Sequence, residues 1–149
     1  MTSLVEALAE HGYEWLPQTA DNPTYPFANA VREGNLVFVS GQIPTEGDKL
    51  YSGKVSMGNL EEAKHAAKLC ALHCLYAAGA LVAPEDILGV VRLNVFVNNE
   101  DNFNQMPLVA NGASVFLNSL FGSRHARSAT GMALPLSVMV EIEAIIRVR

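Results

Sequence analysis

Arg127, Glu141 and Glu143 are the residues whose types and spacing could do chemistry together. The two glutamates sit in a run where Val138, Val140, Ile142, Ala144, Ile146 and Val148 alternate with Met139, Glu141, Glu143, Ile145 and Arg147. Side chains two apart share one face of a strand, so both carboxylates project from the same side, roughly 7 Å apart by the strand rise. The preceding run, Arg127 to Leu134, can fold back on this strand across a Pro-containing turn. Such a hairpin sets a guanidinium beside two carboxylates. The trio is either a structural ion pair on a sheet surface, which is the commoner case, or the charged part of a site.

Two other clusters in the chain carry groups capable of chemistry. Ser40-Gly41-Gln42-Ile43-Pro44 places a small hydroxyl and a glycine at the end of an apolar run. Glycine there lets a ligand or another backbone approach closely, or it simply serves a turn. Cys70, His73 and Cys74 would supply three metal ligands from one helix, with no partner motif elsewhere. Set among Ala and Leu they read as small core residues rather than a zinc site. Two cysteines in 149 residues make no disulfide framework. His65 and His73 read as helix-surface or boundary residues.

The elements that must position these groups follow from periodicity. Ser3 and Glu6 fit a capping box for a short helix that Gly12 stops, and three prolines between Trp15 and Pro26 mark a loop that Trp15 packs down. Ala28–Arg32 and Leu36–Gln42 flank Glu33-Gly34-Asn35 as a first hairpin, its second strand continuously apolar as if covered on both faces. Thr45 to Ser56 reads as a loop. Asn59 to Ala80 carries the longest helical repeat, rich in Ala and Cys and so able to seat closely on a sheet. Ile87 to Asn98 is the next strand, with Val91, Leu93, Val95 and Val97 on one face and Val90, Arg92, Asn94, Phe96 and Asn98 on the other. Glu100-Asp101-Asn102 offers caps for a second helix in which Met106, Val109, Ala113, Phe116 and Leu120 repeat, with Gly112 inside it for close packing and Gly122 at its end. The expected architecture is α+β: a mixed sheet with two helices on one face, in a single domain over residues 1–149 with residues 1–25 as an extension. The other sheet face is partly apolar with no helix left to cover it, which predicts an oligomer.

Composition narrows the function. Half the residues are hydrophobic and 17% are charged, which excludes a disordered chain. A net charge of −5 argues against a nucleic-acid surface, since Arg124, His125 and Arg127 alone do not make a basic groove. No segment reaches membrane-spanning length, and the N-terminus lacks signal-peptide features, so the expected location is the cytoplasm.

Three segments together, Ser40-Gly41-Gln42-Ile43-Pro44, His125-Ala126-Arg127-Ser128 and Val140-Glu141-Ile142-Glu143-Ala144, resemble the signature segments of the YjgF/Rid family in order and separation. The resemblance runs from about Pro26 to the C-terminus. It implies a chorismate-mutase-like fold, a homotrimer with ligand clefts between subunits, and hydrolysis of reactive enamines or imines to a 2-oxo acid and ammonia, without metal or organic cofactor. By the same resemblance Arg127 binds the substrate carboxylate and Glu141 holds the attacking water, while Ser40, Phe27, Ala129, His125 and Asn111 contact the ligand. Three positions depart from the deaminase branch: Phe27 stands for its tyrosine, Ala129 for its cysteine, and His125 for its proline. With the N-terminal helix and the Asn111-Gly112-Ala113-Ser114 segment, they place the chain nearer a subgroup labelled endoribonuclease-like. His125 is either a replacement for part of the lost polar set, since its pKa lies near neutrality, or a surface residue. The functional alternatives are a small-carboxylate-binding module without turnover and, least favoured, a ribonuclease.

Overall fold

The computed structural model describes residues 2–19 and 21–149. Helix α1 spans Leu4–Glu10, and Ser3 Oγ accepts the Glu6 backbone N–H at 3.1 Å, as the capping signal requires. The following loop is pinned where expected. Trp15 packs edge-on against Tyr76 at 5.6 Å and lies so close to Gly79 that a Cβ there would collide with its ring.

Strands β1 (Ala30–Glu33) and β2 (Leu36–Gln42) form the first hairpin, with Gly34 at φ +59° in its turn. The segment read as a loop contains a small second hairpin, β3 (Thr45–Glu46) and β4 (Lys49–Leu50), turning at Gly47. Helix α2 spans Leu60–Ala78 and β5 spans Ile87–Val97. Helix α3 spans Met106–Phe121; its N-cap is Gln105, without a side-chain cap, so Glu100, Asp101 and Asn102 do not cap it. Strand β6 covers Ala126–Gly131 and β7 covers Val140–Val148.

The main sheet runs β1-β2-β7-β5-β6, and here the expected C-terminal hairpin fails. Strand β6 pairs parallel with β5 through the α3 crossover, while β7 inserts antiparallel between β2 and β5. The physical reason lies in composition. The alternating apolar side of β7 needs neighbours on both edges, whereas the polar, six-residue β6 suits a sheet edge. A break at Leu136 and Ser137, with φ of 57° and 53°, carries the chain away from β6 instead of turning it back.

Both α2 and α3 cover one sheet face, as the α+β reading expects. The small residues of α2, among them Ala63, Ala67, Cys70, Ala71 and Cys74, are buried against β7 and β2. Cys70 and Cys74 are free, and their thiols donate to the Val140 and Ile142 carbonyls. Burial pushes both thiols well up from their ordinary pKa. At Gly112 a Cβ would strike the backbone carbonyl of Lys64, so this glycine sets the distance between the two helices. Among the described residues no helix is long and apolar enough to cross a membrane.

Among the described residues no helix covers the opposite sheet face. Val31, Phe38, Ile145 and Arg92 stand in one register row across it, with Val31 49% and Phe38 42% exposed. Strand β2 is therefore covered on one face only within the chain. An irregularity between Val90 and Arg92 also corrects the expected faces of β5: Val90 is buried with the core and Val91 is turned outward.

Candidate functional site

The register of the sheet decides which way Arg127 faces. Ala144, Leu93 and Arg127 lie in one row across β7, β5 and β6, and Leu93 belongs to the helix-covered core. The guanidinium therefore projects toward α3. There Nη1 donates to Asn111 Oδ1 at 2.8 Å and to Ser114 Oγ at 3.2 Å. Asn111 and Ser114 are three apart on the helix and so share a face. His125, two residues before Arg127 in the chain, brings its Nε2 within 2.8 Å of the same Ser114 Oγ. Burial, and then the Arg127 charge, push the His125 pKa below its ordinary value, so the ring is neutral at pH 7. In the tautomer with its proton on Nδ1 the neutral ring accepts the Ser114 hydroxyl proton at Nε2, and in the Nε2–H tautomer it donates to Ser114 Oγ.

This network uses both hydrogens of Nη1. Among the described residues Nε and Nη2 have no acceptor, and no carboxylate lies within ion-pair distance of Arg127. The Nε–H and Nη2–H pair forms the side of the guanidinium that matches a planar carboxylate. Ala129 stands on the same face two residues on and packs against the edge of the core.

The other site residues inferred from sequence assemble elsewhere. Glu141 is in register with Phe96 and projects from the open face, opposite to Arg127 and with β5 between their strands. Its carboxylate folds over Gly41, where a Cβ would overlap it. The glycine thus makes room for a side chain of its own chain. Burial, and then the neighbouring Glu143, raise the Glu141 pKa. Ser40 Oγ donates to the Ala28 carbonyl at 2.7 Å, and Phe27 is exposed and stacked on Tyr25 at 5.7 Å. Glu143 accepts from Asn94 Nδ2 at 2.8 Å, not from Arg127.

The structure thus joins Arg127, His125, Asn111 and Ala129 in one region, and Glu141, Ser40 and Phe27 in another. The guanidinium and the carboxylates are not on adjacent strands, which corrects the ion-pair expectation. Ser114 was missed as a site residue. Its signal was present: Asn111, Ser114 and Asn118 form a polar stripe along a mostly apolar helix.

A cavity of about 490 Å³ lies on the helical layer, lined by His11, Lys64, Lys68 and Phe116 among others. A second, of about 320 Å³, lies on the open face between Phe38, Ser40, Arg92, Asn94 and Glu143. Neither includes the Arg127 fork, which stands at the sheet edge. Among the described residues no group of three His, Cys, Asp or Glu could hold a metal ion.

Fold and site together define an α+β protein that presents a pre-oriented guanidinium at the edge of its sheet. The sequence profile of the Endoribonuclease L-PSP family matches residues 18–148, and the chain belongs to that family, the YjgF/Rid family of the resemblance noted above. "Protein TCP17" of Trypanosoma cruzi is 36% identical over 131 residues, 83% of this chain and 82% of the relative. The 2-iminobutanoate/2-iminopropanoate deaminase of Dermatophagoides farinae is 32% identical over 128 residues, 85% of this chain and 89% of that one. Among solved structures, protein Atu1372 of Agrobacterium tumefaciens superposes with a TM-score of 0.87 at 34% identity, covering 99% of this chain and 94% of that chain.

Proposed function

We propose that the chain binds small 2-imino or 2-enamino acids by their carboxylate and hydrolyses them to a 2-oxo acid and ammonia. The observation that carries the reading is the Arg127 fork: one nitrogen is anchored by Asn111 and Ser114, and the other two face no acidic partner. A guanidinium already held in place gives up little conformational entropy when a carboxylate docks. The relative from Dermatophagoides, named for 2-iminobutanoate and 2-iminopropanoate, supplies the substrate class.

In this reading water adds to the imine carbon while Glu141 accepts one of its protons. From a protonated imine this gives the neutral carbinolamine. Glu141 then returns its proton to the nitrogen, the C–N bond breaks as the carbonyl forms, ammonia leaves, and the hydroxyl proton passes back to Glu141. A carboxylate whose pKa is raised is a better base for that first proton than an ordinary one. Arg127 and Glu141 lie on opposite faces of one sheet, so a single site that uses both must draw them from two copies. A homotrimer with clefts between subunits meets this requirement, and it would cover the Val31 and Phe38 face as well. RNA is not favoured as substrate, because a net charge of −5 opposes binding to phosphate backbones.

The test is ammonia release from an imine generated in situ, against a no-protein control, with light scattering of the same sample. Ammonia above the control together with a trimeric mass is expected. A monomer at micromolar concentration would sink the shared cleft. A second reading, carboxylate binding without turnover, is favoured by Phe27 and Ala129, which bring no hydroxyl or thiol to the cleft. Binding of a 2-oxo acid without any ammonia release would establish it.

A further inference from the structure

Ser114 Oγ stands between two groups with opposite demands. Arg127 Nη1 donates to it at 3.2 Å, and His125 Nε2 lies 2.8 Å away. While the ring is neutral with its proton on Nδ1, Nε2 accepts the Ser114 proton. When the ring is protonated, Nε2–H becomes the donor, Ser114 Oγ accepts from both sides, and its own proton turns away from the ring. The direction of the Ser114 hydrogen bond is thus set by one proton on His125.

We propose that the neutral His125 ring keeps its proton on Nδ1, that Ser114 is a further ligand-binding residue of the Arg127 site and that His125 is the positioning residue that releases its hydroxyl, so that a carboxylate enters the site together with a proton. The proposal rests on the reading that Arg127 holds a carboxylate. An anion on the guanidinium offsets the positive charge that now opposes protonation of the ring, and it gives the freed hydroxyl an acceptor. Both effects favour imidazolium in the bound state. The surroundings leave few rivals for this proton. Helix α3 carries no ionisable side chain between Met106 and Phe121, and Arg124, the residue before His125, is exposed. Arg92 of β5 points to the opposite face, where it donates to Ser128 Oγ at 3.0 Å. Arg127 is the charged group that acts on the ring.

The sign is definite. His125 is held below its ordinary pKa in the free protein and rises on binding, so protons are taken up between the two values. Affinity is greatest below the free value and falls as pH rises through the bound one. Each unit by which binding raises the pKa corresponds to about tenfold in affinity across that window. Calorimetric titration with 2-oxobutanoate in two buffers of different ionisation enthalpy, from pH 5.5 to 7.5, reads both quantities. The wild type should take up part of a proton, with its Kd rising about threefold to tenfold with pH. H125Q should bind with no uptake and a flat profile. S114A should bind more weakly than wild type at pH 5.5 and converge with it at pH 7.5, which a purely structural role would not produce. An NMR titration of the His125 ring in the wild type, with and without 2-oxobutanoate, gives the same answer should H125Q not fold; the ring pKa should rise on binding. Uptake that survives in H125Q but disappears in E141Q would assign the proton to Glu141 and overturn the proposal, as would a flat wild-type profile or an unmoved ring pKa. If wild type and Arg127→Ala bind 2-oxobutanoate alike, the carboxylate anchor itself is wrong, and that failure is separate from a missing proton.

Discussion

The region around Arg127 and the region around Glu141 are built in opposite ways. On the helix side, Arg127 is held by two neutral α3 side chains, Asn111 and Ser114, the second also bonded to His125, so its charge is kept and its orientation is restricted. On the open face, Glu141 is folded over a glycine, accepts no side-chain hydrogen bond among the described residues, and lies next to a second carboxylate. One region stabilises an ion in a fixed pose; the other holds a carboxylate where its charge is mildly opposed. The first arrangement suits binding and the second suits proton transfer.

Mutants break this comparison at its largest point first. Glu141→Gln keeps the shape and removes the proposed base, so under that proposal turnover of an imine should fall on the order of 10²–10⁴-fold while 2-oxo acid affinity stays close to wild type. An equal loss of affinity and turnover would make Glu141 a binding group and erase the division of labour.

If the proposed anchor is right, Arg127→Ala removes the two charge-assisted hydrogen bonds offered to a carboxylate, each worth about 1.5–3 kcal/mol, so affinity for any 2-oxo acid should drop at least tenfold. Arg127→Lys should recover only part of it, since an ammonium cannot present the fork. Unchanged calorimetric affinity in Arg127→Ala would return Arg127 to a structural role.

The helix contact beneath the Arg127 region can be probed without touching a polar group. Gly112→Ala would press a methyl group into the Lys64 carbonyl, and overpacking of this kind costs about 1–3 kcal/mol, more than the gain in helix propensity. A melting temperature several degrees below wild type is expected. A stabilised variant would mean that α2 and α3 can separate freely.

The smallest effect concerns Glu141 and stability. Its folded-state pKa lies above the unfolded one, so the ionised form costs stability above the folded pKa, and that cost disappears as pH falls below the unfolded value. Glu141→Gln should therefore be slightly more stable than wild type at pH 7 and equal to it near pH 3.5 in denaturant titrations. A destabilised variant at pH 7 would show that the carboxylate is satisfied where it stands.

Much of this protein was legible in the chain because the signals are local. The 2-residue alternation of Val138–Val148, the Ala and Cys repeat of α2 and the turn at Gly34 each depend on neighbours a few positions away. Gly112 and Trp15 were legible as packing residues by type, while the groups they meet, Lys64 and Tyr76, lie far off in the chain. The residue types also fixed which chemistry was available: a guanidinium, a hydroxyl, an imidazole and two carboxylates.

Partners across long separations were decided by the tertiary structure. Nothing between Gly131 and Val140 states that β6 joins β5 rather than β7, because strand order depends on which edges of the whole sheet remain to be buried. That one choice turned Arg127 toward α3 and away from Glu141. Asn111 and Ser114 became its partners because α3 crosses above β6. In the sequence the same two residues are only a polar stripe on a helix. Periodicity specifies the face of an element, and only packing specifies what that face meets.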